Sequence, residues 1–124
     1  MANILIIDDS ALSRRILRRM LEAAGHHVRE ADDGMVAIEQ YLLDQPDLVL
    51  LDMTMRGMHG LDVLSKLREL DPQARVIVAT ADIQRSTREL VEAAGGSGFV
   101  SKPFEAEHLI SAVTTVLGGG GAWS

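Results

Sequence analysis

The sequence predicts an α/β domain: a five-stranded, doubly wound parallel sheet in the order 2-1-3-4-5, with helices on both faces. Three observations carry that expectation. Short apolar runs alternate with helix-period segments five times along the chain, without an internal repeat. The central run, residues 48–51, has no polar alternation, which suits a parallel strand buried on both faces. A length of 124 residues with 47% hydrophobic residues suits one core. Alternation comes from periodicity, and it implies right-handed crossovers; the strand order is an inference from the doubly wound fold class.

The elements follow in order. An apolar run over 4–7 closes on Asp8, Asp9 and Ser10. Over 11–24, Leu12, Ile16, Leu17, Met20, Leu21 and Ala24 recur at helical spacing, and Gly25 offers a left-handed stop. An extended stretch at 27–31 runs into the turn cluster Asp32, Asp33, Gly34, and a helix over 35–43 is halted near Pro46. The strand at 48–51 ends at Asp52, followed by an irregular loop containing Gly57 and Gly60. Then come a helix over 61–70, a strand over 75–79 and a helix over 86–94 stopped by Gly95 and Gly96. A short strand at 99–100 and a helix over 108–117 complete the pattern. Residues 118–124 read as a flexible glycine-rich tail or the start of a linker, with Trp123 disordered.

Charge narrows the partners. The net charge of -6 and pI of about 5.1 provide no general basic field for nucleic acid. The stripe Arg14, Arg15, Arg18, Arg19 reads as a solvated helix face. No cysteine is present, which removes disulfides and thiolate metal sites. The apolar runs fall short of a membrane span and no leader pattern opens the chain, so a soluble, cytoplasmic protein is expected. The four histidines lack metal spacing, and Met35, Met53, Met55 and Met58 read as packing residues.

The chemistry gathers at one sheet edge. In open α/β sheets ligands bind outside the carboxyl ends of the strands, where the order reverses. Asp8 and Asp9 follow the first strand, Asp52 the third, Thr80 the fourth and Lys102 the fifth. Adjacent carboxylates raise one another's pKa or recruit a cation, and an all-oxygen set suits a hard ion such as Mg2+. Taken singly, each has a plainer reading: a helix cap, an Asx turn, a surface charge. Together they supply a nucleophilic oxygen, ion ligands, a hydroxyl and a cation, the set that aspartyl-phosphate chemistry uses.

These residues resemble the receiver domain of bacterial response regulators. The resemblance rests on Ile4-Leu5-Ile6-Ile7-Asp8-Asp9-Ser10, Leu50-Leu51-Asp52-Met53, Gly60, Thr80-Ala81 and Phe99-Val100-Ser101-Lys102-Pro103-Phe104. It spans about residues 2–117, so the receiver domain is taken as 1–117, with a flavodoxin-like fold. The resemblance implies that Asp52 accepts a phosphoryl group from a sensor histidine kinase. It implies that Asp8, Asp9, Asp52 and the backbone carbonyl of Thr54 hold Mg2+ or Mn2+, and that Thr80 and Lys102 hold phosphoryl oxygens. A cis peptide before Pro103 and a Thr80–Phe99 switch acting on the surface of the fourth helix, fifth strand and fifth helix also follow from it. Partners implied are the kinase, a protein target on that surface and a phosphatase, without nucleic acid or membrane. No enzyme activity beyond gaining and losing the phosphoryl group is expected, and a stand-alone, chemotaxis-like regulator is the favoured organisation.

The chain departs from the family pattern at Arg56, where proline is usual, and at Phe99, which lacks the frequent tyrosine's hydroxyl. Thr54 and Asp82 occupy the two positions that influence aspartyl-phosphate hydrolysis in receivers. Asp82 could orient the attacking water or cap the fourth helix. Two rival readings share part of the pattern. A phosphatase of the haloacid dehalogenase type would carry an acid where Thr54 stands, and a pure scaffold would not need all five polar residues.

Overall fold

Every apolar run identified above is a strand of one sheet in the computed structural model, which describes residues 2–55, 57–82 and 84–123. In chain order the elements are β1 (Asn3–Ile7), α1 (Ala11–Ala23), β2 (His27–Ala31), α2 (Gly34–Asp44), β3 (Leu48–Asp52) and α3 (Gly60–Leu70), then β4 (Val76–Thr80), α4 (Arg85–Ala93), β5 (Gly98–Ser101) and α5 (Ala106–Leu117). The strands are parallel in the order β2-β1-β3-β4-β5, as expected for the flavodoxin-like fold.

Alternate strand residues divide the core into two layers. Leu5, Ile7, Val49, Leu51, Val76 and Val78 pack against Ala37 and Tyr41 of α2, Val63, Leu64 and Leu67 of α3, and Val91 of α4. Ile4, Ile6, Leu48, Leu50, Ile77 and Val100 face Leu17 and Leu21 of α1 and Leu109, Val113 and Val116 of α5. Burying one such leucine contributes about 2 kcal/mol, so the alternation fixes the register and, with it, what stands at each strand end.

Helix starts are set locally. Ser10 Oγ accepts the Ser13 N–H, Asp33 accepts that of Val36, and His59 Nδ1 accepts that of Leu61. Gly60 positions the loop after β3: a Cβ there would lie 2.6 Å from the Asp52 carbonyl oxygen, so only glycine lets α3 begin against the strand end.

Of three details, the first bears out the sequence reading and two differ from it. Helix α2 ends on Gln45 in the left-handed region (φ 46°, ψ 63°), just before Pro46. Met35 is 65% exposed, whereas Met53 and Met55 do pack in the core. The third concerns the tail, expected to be flexible. Ala122 instead forms a parallel bridge with Gly98 of β5: its N–H donates to the Ser97 carbonyl (2.9 Å), and its own carbonyl accepts the Phe99 N–H (3.0 Å). Trp123 packs against the core layer of α2, α3 and α4. The edge strand β5 has unpaired backbone groups, and this segment satisfies them.

Candidate functional site

Parallel pairing sets Ile7 beside Leu51 and Asp52 beside Ala79, so the residues at the ends of β1, β3 and β4 converge. Carboxylate oxygens of Asp8, Asp9 and Asp52 all lie within 4.8 Å of one another. Lys102, just beyond β5, brings Nζ to 3.0 Å from Asp52 Oδ1 and 3.7 Å from Asp8 Oδ2. The backbone fastens Lys102 in turn, its N–H donating to the Thr80 carbonyl (2.9 Å), and the Lys102–Pro103 peptide is cis. Thr54 N–H donates to Asp52 Oδ1 (3.2 Å), so the Asx turn considered for Asp52 exists alongside the lysine contact.

Asp8 is only 1% exposed and Asp52 5%. Burial pushes the Asp8 carboxyl above its ordinary range; the Ser10 N–H (2.8 Å) opposes that, and the Asp52 charge adds to it. Asp8 Oδ2 is buried without a hydrogen-bond donor. An acceptor-only oxygen in that state, beside two further carboxylates, fits a hard cation: these residues could hold a metal ion.

Other residues hold this cluster in place. Arg14 donates to the Asp8 carbonyl (2.6 Å) while its Nε pairs with Glu30 at 2.9 Å. Arg18 pairs with Glu30 at 2.6 Å and with Glu22 at 3.1 Å. Burial raises the Glu30 pKa, but hydrogen bonds from Arg18 and Arg14 outweigh it and leave the carboxyl below its usual range. Half of the arginine stripe is therefore anchored, not solvated. No sequence signal foretells this, since Arg14 and Glu30 meet only through the β1–β2 pairing.

Thr80 Oγ1 accepts the Asp82 N–H at 2.9 Å. Asp82 does not serve as the cap residue of α4, a position taken by Gln84. Its Oδ2 accepts the Thr87 hydroxyl (2.6 Å) and its Oδ1 the Gln84 N–H (3.0 Å), and these bonds hold its pKa below the ordinary value. Thr87 was missed from sequence, although a threonine five residues after an aspartate at a helix start is a readable signal. Phe99 is half-buried and belongs to neither core layer. Its ring faces Trp123, 6.4 Å between centroids. Arg56 lies outside the described residues. Among the described residues no helix is long and apolar enough to cross a membrane.

Known proteins share this fold. The family model for the response regulator receiver domain matches residues 4–114. The chemotaxis protein CheY of Bacillus subtilis is 37% identical over 115 residues, covering 92% of this chain and 96% of that protein. A LuxR-family two-component response regulator from Aurantimonas sp. superposes with a TM-score of 0.95 at 31% identity, over 100% of this chain and 90% of that one. CheY from Borrelia burgdorferi, solved with CheX, BeF3 and magnesium, gives a TM-score of 0.89 at 31% identity, over 92% and 87% of the two chains. With its sheet order, its strand-end acids and these likenesses in agreement, the chain belongs to the response regulator receiver domain family and is CheY-like.

Proposed function

We propose that Asp52 is a phosphoacceptor and that the domain is a phosphorylation-controlled switch in a two-component pathway. The observation that carries this reading is the buried cluster in which Lys102 Nζ lies 3.0 Å from Asp52 Oδ1, with Asp8 and Asp9 alongside. A carboxylate oxygen of Asp52 attacks the phosphorus of a kinase phosphohistidine. The P–N bond breaks, a P–O bond forms, and the departing imidazole takes a proton from solvent. Mg2+ or Mn2+, held by Asp8, Asp9, Asp52 and the Thr54 carbonyl, would neutralise phosphoryl charge. Lys102 and the Thr80 hydroxyl bind phosphoryl oxygens, Lys102 by turning from the carboxylate it now pairs with.

The added group brings roughly -1.5 to -2 charges. Thr80 moves towards it and Phe99 turns into the space left, which remodels the α4–β5–α5 face for a protein target. Thr54 and Asp82 tune the phosphoryl lifetime, alone or with a phosphatase. The protein works in the cytoplasm without nucleic acid or membrane, and it is not a multiple-turnover enzyme.

Acetyl phosphate with Mg2+ should add one phosphoryl group by intact mass, and Asp52→Asn or chelation should abolish it. A protein that stays unlabelled while folded would leave the scaffold reading. Multiple turnover of p-nitrophenyl phosphate, lost in Asp52→Asn, would establish an enzyme instead.

A further inference from the structure

We propose that residues 121–123 are a tethered sixth strand that occupies the α4–β5–α5 face while Asp52 is unphosphorylated and leaves it on phosphorylation. The proposal rests on the phosphoacceptor reading above. Its structural footing is separate. Ala122 receives the Phe99 N–H and donates to the Ser97 carbonyl, completing an edge that a partner peptide could otherwise extend. Gly98 is shaped for this contact: the three nearest atoms to a Cβ built there all belong to Ala122, the Ala122 Cβ among them at 2.8 Å. Beyond the bridge, the Trp123 ring lies against Phe99, and Arg88 of α4 sits 5.9 Å from its centroid. Trp123 thus spans the two elements whose relationship the switch would change. Phe99 also lines a groove with Arg85, Arg88, Glu89 and Glu92, so an aromatic side chain here meets charge on α4 and a ring on β5.

The connection to the switch is direct. Phe99 cannot both turn inward and keep its ring against Trp123. Release of the segment and inward rotation therefore favour each other, and linkage makes the coupling reciprocal. The glycines from 118 to 121 supply a short lead, folded back on the end of α5 by the Gly119 and Gly120 N–H groups, which donate to the Val116 and Thr115 carbonyls; this short tether keeps the local concentration of the segment high and lets a weak contact block the face. A competing partner would be a polypeptide offering an extended segment to β5 and an aromatic side chain to Phe99 and Arg88.

Trp123 is the chain's sole tryptophan, so its emission reports this contact alone. In the full chain, unphosphorylated, emission should be blue-shifted, protected from acrylamide and independent of protein concentration. Gly98→Ala should red-shift it and raise quenching severalfold while the far-ultraviolet circular dichroism is kept. Ala122→Pro, which removes the N–H that donates to Ser97, should do the same and replaces Gly98→Ala should that variant fail to fold. Acetyl phosphate with Mg2+ should move the wild-type spectrum towards that of Gly98→Ala in step with the labelled fraction, and leave Asp52→Asn unmoved. Labelling without a spectral change overturns the gate and spares the phosphoacceptor. Absence of labelling removes the phosphoacceptor, and the gate with it, leaving the docked strand to be judged by the two variants. Identical wild-type and Gly98→Ala spectra, or emission that depends on concentration, overturn the tethered strand itself.

Discussion

The bodies of β1 and β3 and their carboxyl ends are all buried, yet built from opposite chemistry. Ile6, Ile7, Leu50 and Leu51 are at most 1% exposed, and so is Asp8. In the strand bodies burial is the source of stability, since each apolar side chain leaves water and meets close-packed neighbours. At the ends, burial acts against folding: the Asp8 carboxyl is pushed above its ordinary range, and its Oδ2 lacks a hydrogen-bond donor. One short step along the chain separates groups that hold the fold together from groups the fold must hold in place. The strand bodies make the architecture, and the ends carry the chemistry at some expense in stability.

The largest separation of the two should come from a body residue. Leu50→Ala empties a site in the layer of α1 and α5 and should cost about 3 kcal/mol in urea unfolding. Labelling by acetyl phosphate per folded molecule should be unchanged. A labelling loss greater than the unfolded fraction would mean that the strand body also tunes the site, and the comparison would fail.

Asp8→Asn should act in the opposite sense. Measured without divalent cation, it should stabilise the fold by about 1 kcal/mol, the low end of the cost of a buried acceptor without a donor, because a buried charge beside Asp52 and Asp9 is removed. The pH dependence has a definite sign. A carboxyl whose pKa is raised on folding holds its proton more tightly in the native state. Its contribution is therefore fully present below the ordinary value of 3.8 and is lost as pH rises through the raised folded value. Against the wild type, Asp8→Asn should show its stability advantage above that window and lose it below. It should also weaken the Mg2+ dependence of labelling. Destabilisation at neutral pH would mean that Lys102, 3.7 Å from Oδ2, repays the burial in full.

What the sequence made legible divides along the same line. The strand bodies could be read because burial on both faces demands uninterrupted apolar runs. The ends could be read because each run stops on a polar residue, and the five polar residues at four of these stops have complementary chemistry. Contacts between segments distant in sequence could not be read. The pairing of Tyr41 with Asp71 (2.7 Å) joins α2 to the end of α3, and that of Arg14 with Glu30 needs the β1–β2 register. The docked tail was invisible for another reason: a glycine-rich stretch has no periodicity, and the absent side chain of Gly98 gains meaning only once Ala122 lies against it.

Asp82 offers the finest test of what a strand-end acid does. It follows β4 as Asp8 follows β1, yet it is exposed and its two oxygens already accept from Gln84 N–H and Thr87 Oγ1. Those bonds favour the ionised form, so the carboxylate stays charged through neutral pH. Two roles remain open to it, repelling or orienting groups at the phosphoryl site, or fastening the start of α4 beneath Thr80. Asp82→Asn removes the charge and keeps an oxygen acceptor, whereas Asp82→Ala removes both and Thr87→Ala removes only the fastening donor. With both oxygens engaged at α4, fastening should dominate. Decay of labelled protein, followed by intact mass, should then change by a similar small factor in Asp82→Ala and Thr87→Ala, and by less in Asp82→Asn. Equal changes in Asp82→Asn and Asp82→Ala, with Thr87→Ala unaltered, would instead make the charge itself the agent and group Asp82 with the acids of β1 and β3.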